Sequence, residues 1–372
     1  MLIFATAMRP ACPRKGSLAV VRLDGREGPS LVSIDGSMGE GGGQVLRAAL
    51  ALSAIMEADL KITNIRANRD PPGLKAQHAA AVRAVGELCS AQIEGAEVGS
   101  SELRFKPDVL RGGSYKFDVG TAGSVALVLQ AALPAAIRSG ERVEMKVIGG
   151  TEVPRAPTFD YFQRVLGPVV KGLGANVSIE LGRRGFFPKG GGEVRVLVEP
   201  SGGIKPFAPE GNQPKPLVHG IIVNSGLPEG IIDRTRKSLL QAMRGVRLGK
   251  IDVDHVESPS QGISATVWCE RRGGALGSSG VGSRGYSAED LGRDTAMPLV
   301  HALQAGADVD GHLLDQVLLY CVMATGRSSF TFDRMTSHAQ TLLDVAREFT
   351  NFRYEISRDG RRQRVVVDGE GL

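Results

Sequence analysis

His338 is the side chain in this sequence best placed to do chemistry. It lies in Met335-Thr336-Ser337-His338-Ala339-Gln340, at the head of a helical pattern whose apolar stripe is Ala339, Leu342, Leu343, Ala346 and Phe349. Ser337 and Gln340 have the spacing of a capping box, which makes Ser337 the N-cap and His338 the first helical residue. The partial positive charge of a helix N-terminus disfavours imidazolium and favours a neighbouring phosphate. A neutral imidazole held there can attack phosphorus. The same position also suits an ordinary histidine on a helix shoulder.

A second segment offers a seat for an anion. Leu31 to Ile34 reads as a strand, and Leu46, Ala49, Leu50 and Ala54 mark a helix. Between them runs Asp35-Gly36-Ser37-Met38-Gly39-Glu40-Gly41-Gly42-Gly43-Gln44. Glycines let backbone N–H groups crowd together where the helix dipole also favours negative charge. Glu40, Gln44 and Arg47 project into that seat. No Gly-Lys-Ser/Thr follows, so this is not a Walker A loop, and the spacing is not G-x-G-x-x-G. A tight turn that only packs the helix on a sheet would use the same glycines.

Three further clusters carry polar groups. Arg66 to His78 is a basic loop stiffened by Pro71-Pro72-Gly73 and leading into a helix. Its arginines suit bidentate phosphate binding or a solvated surface. Gly120-Thr121-Ala122-Gly123-Ser124 leads into an apolar helix interrupted by Gln130, whose amide needs a partner, either a base edge or a neighbouring carbonyl. Asp315 and Gln316 lie on the helix Leu313 to Met323, where a carboxylate can hold a divalent cation or order a helix end.

These groups must be positioned by a repeated framework. Three passages run from a helix into a hairpin: 74–89 into 92–105, 158–173 into 177–198, and 338–349 into 352–367. Asp359-Gly360 is a strong hairpin turn. Each passage closes a unit of about 85 residues in which an earlier helix (43–56, 123–138, 312–325) precedes the hairpin helix, the mark of a duplicated block. The units are 31–112, 115–200 and 287–372. Each is expected to pack two helices on one face of a four-stranded sheet. Residues 201–286 break the rhythm. They open with a polar linker (Pro206 to Pro216), continue as strand, helix and two strands, and rejoin through the Gly/Ser tract 273–285. The expected fold is α/β (α+β): three βαβαββ-type units forming a main domain of 31–200 and 287–372, with a smaller α/β insert at 201–286. Residues 1–30 show no period and read as an N-terminal extension.

Composition narrows the function classes. A chain of 372 residues supports two or three domains. The balance of 45 basic and 40 acidic residues, net +5, permits a polyanionic partner. Aromatics at 5% argue against a broad stacking surface for single-stranded nucleic acid. Cys12, Cys89, Cys269 and Cys321 show no C-x-x-C and fit a reducing cytoplasm. No apolar run reaches transmembrane length, so no membrane partner is expected.

Taken together, the segments closely resemble the RNA 3′-terminal phosphate cyclase family. The matching pieces are Asp35-Gly36 through Arg47, Ile65-Arg66-Ala67 through His78, Gly120 through Ser124 with Leu129-Gln130 and Leu133-Pro134, and Gly149 to Pro157. Arg184-Gly185-Phe186-Phe187-Pro188-Lys189-Gly190-Gly191-Gly192-Glu193, Asp315-Gln316, and Thr336-Ser337-His338 with Thr341 complete the set, in the family's order across 31–372. The resemblance implies a ligase-type nucleotidyl transfer that uses ATP and a divalent cation, Mg²⁺ or Mn²⁺, on an RNA with a 3′-terminal phosphate. A histidine takes AMP from ATP, and AMP passes to the RNA phosphate as RNA(3′)pp(5′)A. The vicinal 2′-OH then displaces AMP and closes a 2′,3′-cyclic phosphate. His338 matches the nucleophile. Gln130, His312, Leu313, Leu314, Asp315 and Gln316 match ATP-binding positions. Arg47, Arg66, Gln77 and His78 match the RNA-phosphate site, and Glu40 matches a metal-associated glutamate. His312 stands where an aromatic residue is expected. A catalytically silent branch of the family acts in ribosome assembly, but it lacks the histidine and much of the phosphate-binding set. Enolpyruvyl transferases share a repeat of similar build and need no histidine adenylate.

Overall fold

The computed structural model describes residues 20–21, 27–28, 31–209 and 216–372. Most of the expected 1–30 extension lies outside them; its described part is two short paired strands, β1 (Val20–Val21) and β2 (Glu27–Gly28).

Two sheets share one topology, and a third repeats it without the first strand. The first comprises β3 (Val32–Asp35), β4 (Leu60–Thr63), β5 (Gln92–Glu94) and β6 (Leu103–Lys106), ordered β3-β4-β6-β5. Only β3 and β4 run parallel. Helices α1 (Gly43–Met56) and α2 (Ala76–Leu88) belong to this unit. The second comprises β7 (Gly113–Asp118), β8 (Val143–Gly149), β9 (Asn176–Arg183) and β10 (Gly192–Glu199), ordered β7-β8-β10-β9 with only the first pair parallel. Its first helix is α3 (Val125–Arg138). Its second is split into α4 (Phe159–Tyr161), a π-helical turn (Phe162–Leu166) and α5 (Gly167–Gly172). Pro168 has no N–H for the usual ladder, and Gly167 N–H donates instead to Phe162 O, five residues back.

The third sheet has three strands where four are expected. Helices α8 (Gly311–Met323) and α9 (Ser337–Phe349) accompany β15 (Thr325–Phe332), β16 (Arg353–Asp359) and β17 (Arg362–Glu370), ordered β15-β17-β16. The first strand survives as one parallel bridge, Val309 to Phe332. It cannot lengthen, because Asp310 already caps α8, accepting from the N–H groups of His312 and Leu313.

The insert is β11 (Val218–Ser225), α6 (Glu229–Ala242), β12 (Leu248–His255), β13 (Gly262–Arg271) and β14 (Gly274–Val281), ordered β12-β11-β13-β14. Two expectations are corrected here. The Gly/Ser tract is strand β14, not a connection. Its glycines answer a close approach: a Cβ on Gly277 would lie 2.5 Å from Val165 Cγ2 and 2.9 Å from Val267 O. The boundary at 286/287 also moves. Helix α7 (Ala288–Ala305) packs Leu291, Ala296 and Leu299 with Val267 and Leu276 in a second core, separate from the main one. The polar linker is not loose at its start either. Phe207 N–H donates to Ser328 Oγ (3.0 Å), and its ring enters the main core against Phe330. Residues 210–215 of that segment lie outside the described residues. A Gly277→Val substitution should lower stability by about 1–3 kcal/mol through overpacking. Thermal melting checks this, and an unchanged midpoint would contradict the packing described.

Candidate active site

The glycine turn between β3 and α1 docks on the start of α9. Glu40 N–H donates to Thr341 Oγ1 (3.4 Å). Gly39 has φ +59°, and any Cβ there would overlap the Thr341 hydroxyl. Cβ atoms on Gly42 and Gly43 would overlap Glu40 Oε1 and His78 Nε2. The glycines therefore clear space for neighbouring side chains as well as allowing the turn.

Thr336, not Ser337, is the N-cap of α9. Its hydroxyl accepts from Ala339 N–H (2.9 Å) and donates to the Asp315 carboxylate. One hydroxyl thus makes both bonds, and Gln340 turns away to Asp344 (2.9 Å). His338 is the second helical residue, not the first.

His338 Nδ1 lies 3.0 Å from Glu40 Oε1, and Glu40 Oε2 lies 2.8 Å from Arg69 Nη2. The hydrogen bond to Glu40 raises the imidazole above its ordinary pKa, outweighing partial burial. The expectation that the helix terminus keeps it uncharged is thus corrected: the carboxylate in contact prevails over the more diffuse dipole. Burial alone would push Glu40 up, but the bond from His338 and the charges of His338, Arg69 and Arg47 hold it below the usual range. In the neutral ring this contact assigns the proton to Nδ1 and leaves the Nε2 lone pair free.

Beside this pair sits a set of donors. His78 Nδ1 accepts from Lys75 N–H (3.1 Å), so its Nε2 carries the proton, facing Gly43. Burial, then the charges of Arg47, Arg66 and Lys75, drive His78 down to about 3, so it is a neutral donor at pH 7. Arg47 is buried. Its Nη2 donates to Gln44 Oε1 (2.8 Å), while its Nε has no partner. Burial lowers Arg47 to about 10, against the pull of Glu40 and Asp315.

Gln44, Arg47, Gln130, Asp315, Gln316 and Tyr320 line one cleft. Gln316 Nε2 donates to His312 O (2.8 Å), and its buried Oε1 has no partner. Burial pushes Asp315 up to about 6, against Thr336, His338 and His312. His312 meets Tyr161 edge-on, ring centroids 5.9 Å apart.

Leu313, Leu314, Gln77 and Arg66 do not line that cleft. Leu313 and Leu314 are fully buried in the main core, because the 3.6-residue period turns them from the face that carries His312, Asp315 and Gln316. Gln77 Oε1 accepts from Ser124 N–H (3.1 Å) and ties α2 to α3. Arg66, buried with φ +54°, donates through Nη1 to Pro71 O (2.9 Å) and Gly73 O (2.6 Å), clamping the basic loop. Sequence reasoning missed Arg69 as the partner of Glu40 and Thr336 as the partner of Asp315. Arg69 was visible as part of a basic loop, but no spacing rule joins residues 29 apart.

The RNA 3′-terminal phosphate cyclase family model matches residues 38–356. An RNA 3′-terminal phosphate cyclase of Nitrosospira multiformis is 41% identical over 340 residues, covering 91% of this chain and 96% of that protein. Proteins of the same name from Caldivirga maquilingensis and Pyrobaculum neutrophilum are 38% and 37% identical, each across 91% of this chain and 98% or more of their own length. The chain belongs to the RNA 3′-terminal phosphate cyclase family. No helix among the described residues is long and apolar enough to cross a membrane.

Proposed function

We propose that the chain uses ATP to convert an RNA 3′-phosphate end into a 2′,3′-cyclic phosphodiester, with His338 carrying the adenylyl group. The observation that carries this reading is the His338–Glu40 contact, which leaves Nε2 free within reach of the charge of buried Arg47, itself next to the buried donor His78 across Gly43. Nε2 attacks the α-phosphorus of ATP; the N–P bond forms and pyrophosphate leaves. Glu40 steadies the positive charge that the ring acquires, as a carboxylate partner does for any histidine gaining charge. An oxygen of the RNA 3′-phosphate then takes the adenylyl group from Nε2. The vicinal 2′-OH attacks the 3′-phosphorus, gives up its proton and displaces AMP.

Arg47 and His78 hold phosphate oxygens in this scheme, while Arg66 and Gln77 position the loop and helix that bear them. Gln130 and Gln316 face the nucleotide, and the unpartnered Gln316 Oε1 suits an amino group such as that of adenine. Among the described residues no group of three or more His, Cys, Asp and Glu forms a metal cage. Glu40 and Asp315 supply two carboxylates, which fits a Mg²⁺ held mainly by phosphates and water. Bound there, the ion would offset charge on the triphosphate. The buried free thiols Cys89, Cys269 and Cys321 suit the cytoplasm.

Mass spectrometry of protein treated with ATP and Mg²⁺ should find one added AMP, on His338; intact protein that never gains it would end this reading. The pH profile follows from the same pair. Only neutral imidazole attacks, and Glu40 raises its pKa, so the adenylylation rate should fall as pH drops through a value above the ordinary 6.5. Glu40→Gln should move that acid limb to lower pH and cut the plateau rate by about 10²–10⁴-fold. Stopped-flow pyrophosphate release across pH measures both, and an acid limb that stays put would show that Glu40 does not control the ring.

A further inference from the structure

Phe187 is the most exposed aromatic side chain among the described residues, with 56% of its surface in solvent. It does not ride on a slack loop. Every N–H available from residue 185 to residue 190 has a partner: Gly185 to Thr151 Oγ1, Phe186 to Ser258 Oγ, Phe187 to Glu152 O, Lys189 to Ser260 Oγ and Gly190 to Phe186 O. Beneath them the buried Arg184 is paired with both Glu152 and Asp160. A backbone tied at every available N–H thus holds a large apolar ring in water.

Cationic side chains lie along this loop and on the segment it bonds, where Phe187 N–H donates to Glu152 O. Arg155, Arg183 and Lys189 are exposed, and among the described residues none of them pairs with a carboxylate. The loop is also continuous with the active site. A Cβ on Gly190 would lie 2.7 Å from Ala122 Cα and 3.1 Å from Thr121 O. Gly123, in the same turn, presses on Gln77, a Cβ there lying 2.9 Å from Gln77 Cβ. The next residue is His78, which faces the glycine turn that carries Glu40. On its other side the loop is held by Ser258 and Ser260 of the insert.

We propose that Phe187 is a stacking platform for a base close to the 3′ end of the RNA, with Lys189 and Arg183 taking the adjoining phosphates. This rests on the RNA-end reading above and deepens it. A flat ring stacks on any base, so a single platform beside basic side chains holds an RNA end without reading its sequence. It also gives the scarce aromatics one specific use.

The experiment is binding of a 3′-phosphorylated RNA pentanucleotide, followed by fluorescence anisotropy, together with a set of the same oligonucleotides each abasic at one position. Phe187→Ala should weaken binding about 10-fold, within the range of a single stacked base. Phe187→Trp should restore it, and one abasic position should erase the difference between wild type and Phe187→Ala. Lys189→Gln should reduce the slope of log K against log salt by about 0.7. Melting midpoints of each variant establish that the fold is kept. Loss of affinity that tryptophan does not restore, or that persists at every abasic position, overturns the proposal. Wild-type protein that holds the RNA end, with Phe187→Ala indistinguishable from it, overturns this proposal alone. Wild-type protein that does not hold the RNA end at all overturns the RNA-end reading and this proposal with it.

Discussion

Replacing His338 with alanine should abolish the covalent adenylate and lower overall turnover by roughly 10⁴–10⁶-fold, the scale on which losing a nucleophile is felt. The fold should barely notice. The His338 side chain is 42% exposed, and its partner Glu40 keeps the ion pair with Arg69 when the imidazole is gone. Exposed substitutions of this kind usually move stability by no more than about 0.5 kcal/mol. Labelling with ATP radioactive in the α-phosphate, read beside thermal melting, separates the two effects. A well-folded His338→Ala protein that still takes up acid-labile label would place the nucleophile on another residue.

Arg184→Met should destabilise the protein by about 3–5 kcal/mol, the cost of breaking a buried ion pair from one side. The guanidinium lies 2.7 Å from Glu152 and 2.5 Å from Asp160, and all three side chains are buried. Glu152 is already pushed up to about 7, chiefly by burial, even with Arg184 in place. Without the guanidinium it must rise further. A carboxyl whose folded pKa exceeds its unfolded one gives stability that is present at low pH and lost as pH rises through the folded value. The deficit of Arg184→Met should therefore shrink as pH is lowered from 8 towards 5. Adding Glu152→Gln and Asp160→Asn should recover most of it at neutral pH. Chemical denaturation at several pH values tests this, and a deficit independent of pH would mean that lost packing, not unpaired charge, is the cause.

Much of the architecture was legible because each repeat announces itself locally. Helix α1 was expected at 43–56 and is found at Gly43–Met56, since an apolar helix flanked by a glycine turn leaves little choice. The parts that were not legible depend on partners far along the chain. Strand β14 reads as a linker because its Gly277 answers Val165, more than a hundred residues earlier. Helix α7 carries an apolar stripe that suits either core, and only contact with Leu276 and Val267 assigns it to the insert. Leu313 and Leu314 matched binding positions by motif, yet helical geometry turns them into the core.

The candidate site divides along the same line. His338, Glu40, Arg47 and Asp315 stood out by residue type and local motif, and the family resemblance added His78, because an imidazole, a carboxylate and a guanidinium are chemically distinctive. The amino-acid order also set the repeated framework, through hydrophobic period and turn residues that act over a few positions. Which groups touch was decided in three dimensions. Glu40 reaches His338 across nearly three hundred residues and reverses the expected charge preference of the ring. Asp315 meets Thr336, Arg69 meets Glu40, and His78 is kept neutral by burial and then by its cationic neighbours. A pKa or a tautomer belongs to a contact, and contacts between distant segments exist only once the helices have packed.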